Sequence, residues 1–388
     1  MGIFSSEKPQ PYLTYLIIDI ATDAVRTSFM RVRQDVRSRP EVLSYAETKL
    51  EIEEERSDVD ALGDYMLRAL THTLSMLSHK GMFIPDSVHC FLHAPWVGSQ
   101  TRIAKMQKEK PFILSEQIAG DILLRERESF LRSAGEEITV IEEQIMSLKH
   151  NGYEIHNPFG KSTTSIEASI FFAFSEKHIL GTIREKIAQL VHERPVVFHS
   201  AHFSSFVTVR DLKNEDDAFL LLSIGGLVSH VSLVTNGHLE RSATFPYGVD
   251  ALSREFAQTI GRSKNEIASL VSVYAAGRAH ASLETLIKHG AKRAHLAWNE
   301  HFANSITHLS EKATLPKSLY ILPQTKHESH LAQLLFGNES KTYAHLPHDF
   351  NAILIDTKHV SPFVRWSSSD PHDLYTMLHS IFISRRLS

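Results

Sequence analysis

The chain has 388 residues, which is long enough for two or more domains with hydrophobic cores of their own. Apolar residues make up 42% of it and charged residues 22%, the balance of an ordinary globular protein. The formal net charge of −4 provides no overall attraction to nucleic acid, so we expect no nucleic-acid partner. The one cysteine, Cys90, excludes an internal disulfide framework and is typical of a reducing, cytoplasmic compartment.

The first hundred residues predict three strands, a helix and a fourth strand. The helix is indicated by Leu62, Met66, Leu70 and Leu74, which are spaced four apart on one face. The predicted strands are buried apolar runs or alternate between apolar and polar residues. In chain order the elements are strands at Tyr12–Ile20, Ala24–Val32 and Glu41–Ile52, a helix at Ser57–His79 and a strand at Ser87–Ala94.

The middle of the chain, from Gln100 to His178, reads as a small α+β insertion. A turn is predicted where Asn157-Pro158-Phe159-Gly160 interrupts the apolar pattern. The insertion is followed by a helix and a short strand that return to the first half. The predicted elements are a helix at Ser115–Arg132, strands at Ile138–Leu148 and Ser165–Phe174, a helix at Lys177–Val191 and a strand at Val196–Phe198.

The later half repeats the order of the first. Asn236-Gly237 is suited to a type I′ hairpin turn, and Gly261 is placed to cap a helix end. Ser263 and Glu266 form the pattern of a capping box that opens a further helix. The predicted elements are strands at Phe219–Ser223, Val228–Thr235 and His238–Phe245, a helix striped by Leu252, Phe256 and Ile260, a strand at Leu319–Leu322 and a helix near Glu328–Phe336.

Three segments carry a resemblance to the FtsA cell-division proteins and, slightly less closely, to the PilM proteins of type IV pilus assembly. "LIIDIATDAVRTSFMRV" (Leu16–Val32) resembles the family's first phosphate segment, and Leu220–Gly261 resembles its second phosphate segment with the helix that follows. Ile141–Phe174 is similar to the inserted domain of FtsA, in which an Asn/Asp-Pro-x-Gly turn precedes a strand. The resemblance covers roughly residues 12 to 340.

The resemblance implies an α/β fold of the actin-like (ribonuclease H-like) type, duplicated, with an inserted small α+β domain of the SHS2 type. It also implies the domain limits. The first actin-like subdomain would comprise residues 12–99 and 179–215, and the inserted domain residues 100–178. The second subdomain would comprise residues 216–362, followed by a linker and an amphipathic tail at 363–388.

The family places an acid and a glycine-rich turn in each phosphate segment, because backbone N–H groups must approach phosphate oxygens closely. In this chain Asp19 matches the first acid, but Ser223 stands where the second belongs and Leu227 replaces a glycine. The resemblance therefore implies a degenerate nucleotide site, formed by Asp19, Ala21, Thr22, Ser223, Gly225, Gly226 and Ser229.

These losses predict a pseudo-ATPase with no catalytic residue. Without the second carboxylate a Mg²⁺·phosphate site loses a charged partner, worth roughly 1–3 kcal/mol. The adenine-side glycine pair is also missing, since the strand "SLYIL" is followed by Pro323-Gln324-Thr325. We expect no cofactor, although ATP with Mg²⁺ stays open as a weak ligand.

The 24 histidines raise the question of a metal site. None of their close groupings repeats a known ligand spacing with cysteine or carboxylate support, so we predict no metal ligand. The closest groupings are His199 with His202, His327 with His330, and His345 with His348.

The tail ends in an apolar stripe with the i, i+3, i+4, i+7, i+8 spacing of one helix face, beginning at Leu374. FtsA proteins end in such a helix, which implies contact with an anionic membrane surface. The alternative is a last helix that packs on the protein's own body. The membrane-contact candidates are Leu374, Leu378, Ile381, Phe382, Arg385 and Arg386.

Three functions remain open on the sequence. The first is an FtsA-like scaffold at the inner face of the cytoplasmic membrane, with division proteins as partners and self-association through the inserted domain. The second is a PilM-like cytoplasmic component of pilus assembly that binds a partner protein. The third is an active ATPase of the same superfamily, against which Ser223 and the missing adenine glycines argue.

Overall fold

A computed structural model describes most of the chain, which divides into two compact units. The first unit comprises Met1–His93, Gly181–Val209 and Asp356–Ser388, and the second comprises Ala94–Leu180 and Arg210–Ile355. The domain limits implied by the resemblance stay a prediction. The described residues are 12–34, 38–50, 59–79, 84–155, 157–191, 194–213, 217–310, 314–323, 330 and 350–386.

The described elements, in chain order, alternate between groups of strands and helices. The strands are β1 (Tyr12–Ile20), β2 (Ala24–Arg33), β3 (Glu41–Lys49), β4 (Ser87–Leu92), β5 (Gly98–Ile113), β6 (Ile138–His150), β7 (Tyr153–Glu154), β8 (Ser162–Glu176), β9 (Val196–Ser200), β10 (Phe219–Ile224), β11 (Ser229–Thr235), β12 (His238–Phe245), β13 (Ser318–Pro323), β14 (Asn351–Leu354) and β15 (Arg365–Trp366). The helices are α1 (Val59–His79), α2 (Glu116–Ala134), α3 (Lys177–Ala188), α4 (Ala201–Leu212), α5 (Val249–Ile260), α6 (Lys264–Ala275), α7 (Ala281–Ser310), α8 (Thr357–Val360) and α9 (Leu374–Arg386), with a 3₁₀ turn at Ser361–Phe363.

The first unit is built on a six-stranded sheet in the order β15-β3-β2-β1-β4-β9. The strands β1, β2 and β3 form an antiparallel meander, while β4 and β9 continue the sheet in parallel with β1. The run from Leu16 to Ile18 is apolar throughout because β1 is buried on both faces. Helix α1 packs on β2 and β3, and α9 contacts β1, β2 and β3.

The second unit contains two sheets. A five-stranded sheet in the order β12-β11-β10-β13-β14 begins with the meander β10–β12, and α5 to α7 bury Phe256, Trp298 and Phe302 in its core. A four-stranded sheet in the order β5-β8-β6-β7 has its own core, which includes Phe172 from β8 and Ile122 from α2. The predicted repeat of a three-stranded meander is therefore present in the first and second units, and the predicted insertion is a four-stranded sheet with a helix.

Three local predictions in the second unit are confirmed. Asn236 and Gly237 both have positive φ angles, 52° and 71°, as a type I′ turn requires. Gly261 ends α5 in the left-handed conformation, and the Glu266 carboxylate accepts a hydrogen bond of 2.8 Å from the Ser263 backbone N–H at the start of α6. The predicted helix near Glu328–Phe336 falls almost entirely outside the described residues.

Several described elements are absent from the sequence prediction, and the longest of them are β5, α4 and α7. The strand β5 carries "KMQKEK", in which charge hides the alternation of a strand, and it is largely solvent-exposed. Helix α4 contains buried serines as well as phenylalanines, so its apolar stripe is diluted. The 30-residue helix α7 lacks a clear stripe because alanine and histidine are spread around its surface.

The C-terminal helix α9 corrects the prediction of membrane contact. The side chains of Leu374, Leu378, Ile381 and Phe382 are 6%, 0%, 2% and 1% exposed, because α9 is buried within the first unit. The helix is buried around its whole circumference from Leu374 to Ile383, so the apolar stripe is a core face rather than a membrane face. Among the described residues, no helix is long and apolar enough to cross a membrane.

Of the membrane-contact candidates, the two arginines at the end of α9 are exposed. The Arg386 guanidinium lies 4.5 Å from the centre of the Phe382 ring, a cation–π contact that covers the buried end of the helix. The Thr208 hydroxyl of α4 donates a 3.2 Å hydrogen bond to the Leu378 carbonyl oxygen, which fixes α9 from another side. The tail thus packs on the protein's own body, the alternative left open by the sequence.

Candidate functional site

The first predicted phosphate segment forms the turn between β1 and β2. The Ala21 N–H donates to the Ala24 carbonyl oxygen at 3.1 Å, which closes the turn on itself. Thr22 lies within the turn and is 3% exposed, and Asp19 precedes it at the end of β1. The predicted trio of Asp19, Ala21 and Thr22 is therefore brought together, as a buried turn.

Both oxygens of the Asp19 carboxylate are occupied by side chains of the same unit. Its Oδ1 lies 2.7 Å from His93 Nε2 and 3.3 Å from His379 Nε2, and its Oδ2 lies 3.4 Å from an Arg26 guanidinium nitrogen. The carboxylate is fully buried, and burial alone would raise its pKa. The neighbouring His93 and the hydrogen bonds from both histidines outweigh burial and hold the pKa of Asp19 well below its usual range.

Arg26 is the centre of a larger buried ion-pair cluster. It is 1% exposed, and its guanidinium faces four carboxylates. The N–O distances are 3.4 Å to Asp19, 2.7 Å to Asp23, 3.1 Å to Glu47 and 3.7 Å to Asp373. Burial, together with the charge of Asp19, raises the pKa of Asp373 to about 6 despite the opposing effect of Arg26.

The imidazole of His379 enters this cluster from α9. Its ring stacks on Phe91 of β4, with 3.8 Å between ring centres and 5° between planes. On its far side, Nδ1 lies 2.8 Å from the Ser204 hydroxyl of α4. Burial lowers the pKa of His379 to about 4, although the hydrogen bond and charge of Asp19 act against that shift.

The second predicted phosphate segment forms the turn between β10 and β11. The Gly225 N–H donates to the Val228 carbonyl oxygen at 2.9 Å, so this turn too is closed on itself. Its carbonyl oxygens point at the start of α5. Gly225 O accepts from the Val249 N–H at 2.9 Å, and Gly226 O accepts from the Asp250 N–H at 2.9 Å.

These contacts use the N–H groups that a helix start would otherwise present to an anion. The fit is so close that a Cβ on Gly248 would lie 2.4 Å from both Gly225 O and Gly226 O. Glycine at position 248 therefore allows the backbone before α5 to contact the backbone of the Gly225-Gly226 turn. The carbonyl groups of Gly225 and Gly226 make this contact, and Gly225, Gly226 and Ser229 lie together within this hairpin.

The two serines of the second hairpin have different surroundings. The Ser229 hydroxyl donates to the Tyr247 carbonyl oxygen at 2.8 Å and lies 3.4 Å from Trp298 Nε1. Ser223 is 7% exposed, and its hydroxyl has no hydrogen-bond partner among the described residues. The position where the resemblance implies an acid is thus occupied by a small, buried and uncharged side chain.

The described residues do not fit the Mg²⁺·nucleotide that the fold family implies. The first acid is buried with each oxygen against a cationic or imidazole nitrogen, so it does not face the water shell of a hydrated Mg²⁺ ion. In the second hairpin the carbonyl oxygens of Gly225 and Gly226 accept hydrogen bonds from the start of α5. A phosphate group placed there would meet these carbonyl oxygens, which repel its negatively charged oxygens. No step of phosphoryl transfer is derived from these residues.

Sequence reasoning missed Arg26, His93 and His379. The spacings 19, 26, 93 and 379 have no local pattern, and only the sheet and α9 bring these residues together. The one usable signal was Arg26 itself, a charged residue inside a strand that is otherwise buried.

Comparison with known proteins supports the fold. No family model matches the sequence, and no curated protein matches it. The structure is similar to a chain of the solved "PilM-PilN type IV pilus biogenesis complex", with a TM-score of 0.59 and 14% identity over 98% of each chain. The predicted actin-like α/β fold is therefore confirmed.

Two further solved structures are more distant. One is the ethanolamine utilization protein EutJ from Carboxydothermus hydrogenoformans, with a TM-score of 0.42 and 9% identity over 97% of this chain and 90% of that one. The other is a protein of actin-like ATPase fold and unknown function from Bacteroides thetaiotaomicron, with a TM-score of 0.39 and 12% identity over 98% and 99% of the chains.

Proposed function

We propose that this chain is a non-catalytic actin-like scaffold that binds protein partners in a type IV pilus assembly complex, in the manner of PilM. It would be a pseudo-ATPase, which keeps the nucleotide-binding fold and has lost hydrolysis. The observation that carries the proposal is the state of Asp19. The first acid of the fold is fully buried and held by Arg26, His93 and His379.

Phosphoryl transfer depends on positioned charge, so a site without accessible acids has little with which to catalyse it. An enzyme of this kind needs Asp19 to face the water shell of a metal ion. Releasing it would break its buried contacts with Arg26, His93 and His379, and breaking a buried ion pair costs several kcal/mol. The second hairpin adds to the argument, because Ser223 supplies no charge there.

The pilus role is favoured over the division role by two observations. The likeness to a chain of the PilM-PilN complex extends over 98% of both chains. The division role drew support from the Asn157-Pro158-Phe159-Gly160 turn, and its membrane link drew support from the apolar face of the tail, which is buried in α9.

A binding experiment tests the scaffold role. A PilN-type pilus assembly protein is titrated into the full chain by calorimetry, with and without Mg·ATP. We expect binding with the same dissociation constant in both conditions, because the scaffold does not depend on nucleotide. The matched control is a scrambled version of the PilN-type segment that binds. An interaction that requires ATP, or no interaction at all, contradicts the proposal.

A further inference from the structure

A buried cluster of three potential metal ligands lies where the nucleotide chemistry of the fold would have begun. Asp19, His93 and His379 come from the end of β1, the residue after β4 and the middle of α9. Their ligand atoms all lie within 4.8 Å of one another, and the three residues are 0%, 8% and 0% exposed. Asp19 uses Oδ2 towards Arg26, so Oδ1 alone faces both imidazoles.

The contacts of His379 suit a metal ligand. Its Nδ1 lies 2.8 Å from the Ser204 hydroxyl, which also lies 3.0 Å from the Ala201 carbonyl oxygen. In the tautomer that donates Nδ1–H to Ser204, Nε2 carries the lone pair with which a histidine binds a metal ion. Without metal, the other tautomer donates Nε2–H to Asp19 Oδ1 at 3.3 Å, so metal binding would exchange this hydrogen bond for a bond to the ion.

The charges around the cluster point the same way. Four carboxylates, those of Asp19, Asp23, Glu47 and Asp373, face the single guanidinium of Arg26 within 3.7 Å. Asp23 Oδ1 has no hydrogen-bond partner among the described residues, although it is buried. Excess negative charge in a buried place is unfavourable, and a divalent cation beside Asp19 would offset it.

We propose that Asp19 Oδ1, His93 Nε2 and His379 Nε2 bind a divalent transition-metal ion. Two imidazoles with one carboxylate suit Zn²⁺, Fe²⁺, Co²⁺ or Ni²⁺ rather than Mg²⁺ or Ca²⁺, which prefer oxygen ligands. Bonds of about 2.0–2.1 Å in a tetrahedron place ligand atoms about 3.3 Å apart. Oδ1 and His379 Nε2 already have that separation, whereas Oδ1 and His93 Nε2, now 2.7 Å apart, would have to separate by about 0.6 Å. The two imidazole nitrogens, which lie within 4.8 Å of one another, would have to adopt the same spacing.

The surroundings of the ligands are those of a metal site. A ligating histidine normally donates its other ring N–H to a polar group, and the Ser204 hydroxyl oxygen is placed 2.8 Å from His379 Nδ1 to accept it. The ring of His379 is further held by Phe91, and the ring of His93 by the edge of Tyr375 at 4.8 Å. A bound ion would tie α9 to the end of β1, so the C-terminal helix would be held in place by metal.

The test uses the full chain, freed of metal with a chelator and dialysed, with ZnCl₂ as the probe. Calorimetry in the presence of a weak competing chelator separates one tight site from weak binding by surface histidines. We expect one equivalent of Zn²⁺, and a loss of affinity of more than about 100-fold in His93→Gln and in His379→Gln. The matched control is His202→Gln, a residue as buried as His93 but on α4 and outside the cluster.

A second readout needs no variant. The wild-type chain loaded with Co²⁺ should show the visible absorption of a four-coordinate site with nitrogen and oxygen ligands, and Zn²⁺ should abolish it. Zn²⁺ should also raise the melting temperature of the wild type. Absence of a stoichiometric site, equal Zn²⁺ affinity in the cluster variants and the control, or imidazole ¹⁵N shifts that show His379 doubly protonated in excess Zn²⁺ would each overturn the proposal.

Discussion

The two hairpins formed by the predicted phosphate segments are stabilised by different interactions. In the first, Asp19 is kept and enclosed by Arg26 and two histidines. In the second, the acid is gone, and the Gly225-Gly226 turn hydrogen-bonds the first N–H groups of α5. One hairpin is held by buried charge and the other by backbone contact. The comparison shows that the two hairpins are stabilised in different ways, so substitutions in each should affect stability differently.

The largest effect is expected where buried charge holds the first hairpin. Arg26→Met should lower the free energy of unfolding by about 3–5 kcal/mol, because it leaves buried carboxylates without their cation. The measurement is urea unfolding followed by circular dichroism. The control is Arg31→Met, whose side chain is 38% exposed and pairs with Glu41 at 2.8 Å, and which should cost less than about 1 kcal/mol. Equal losses in both variants would contradict a charge-held hairpin.

The second hairpin is tested by disrupting the backbone contact between Gly248 and the Gly225-Gly226 turn. Gly248→Ala places a methyl group 2.4 Å from two carbonyl oxygens that cannot rotate away, so we expect a loss of about 3 kcal/mol. Gly120→Ala is the matched control, since a Cβ there meets nothing within 4 Å and alanine favours the helix α2. Thermal unfolding of both variants measures the difference. A Gly248→Ala protein as stable as wild type would show that the turn and α5 are not in close contact.

Acid should act on the first unit through His89 on β4. Burial, with the nearby His199 ring and Arg386, lowers the pKa of His89 to about 3, and the unfolded chain titrates near 6.5. The neutral ring therefore stabilises the fold above pH 6.5, and that contribution is lost as the pH falls towards 3. His89→Phe keeps a ring against Tyr15 and His199 but cannot titrate.

Between pH 7.5 and pH 5 the wild type should lose about 2 kcal/mol more stability than His89→Phe. Urea unfolding at the two pH values measures this difference. The control is a variant of the exposed His72, which should follow the wild-type profile. Parallel profiles for wild type and His89→Phe would mean that the buried ring does not contribute to acid sensitivity.

The smallest effect compares two serines within the second hairpin. Ser229→Ala removes the partner of the Tyr247 carbonyl oxygen and should cost about 1–2 kcal/mol. Ser223→Ala removes a hydroxyl with no partner among the described residues, so the change should stay within about 0.5 kcal/mol. Differential scanning calorimetry resolves the two cases. A costly Ser223→Ala would reveal a role for the hydroxyl that the described contacts do not show.

Much of the fold was predictable because its signals are local. The meanders β1–β3 and β10–β12 follow from apolar runs and an Asn-Gly turn, and the helix α6 follows from its capping box. The position of Asp19 at the end of a strand was also correct. Its environment was not predictable, because Arg26, His93 and His379 reach it only through long-range contacts.

The C-terminal helix shows the same limit more clearly. Its periodic stripe predicted a helix with one apolar face, and the two final arginines suggested an interface with lipid. The structure buries the polar face as well, because the ring nitrogens of His379 have hydrogen-bond partners in Ser204 and Asp19 inside the first unit. Periodicity reports which residues share a face, but it does not report what covers them.

The most direct test of the central claim is a titration of the full chain with Mg·ATP, read by calorimetry and by phosphate release. An active actin-fold ATPase in the same buffer serves as the positive control. The account predicts no phosphate release and no saturable heat, because Asp19 is enclosed and the turn of the second hairpin faces α5. Steady phosphate release that is lost in Asp19→Asn would contradict it, since the acid would then be free to act.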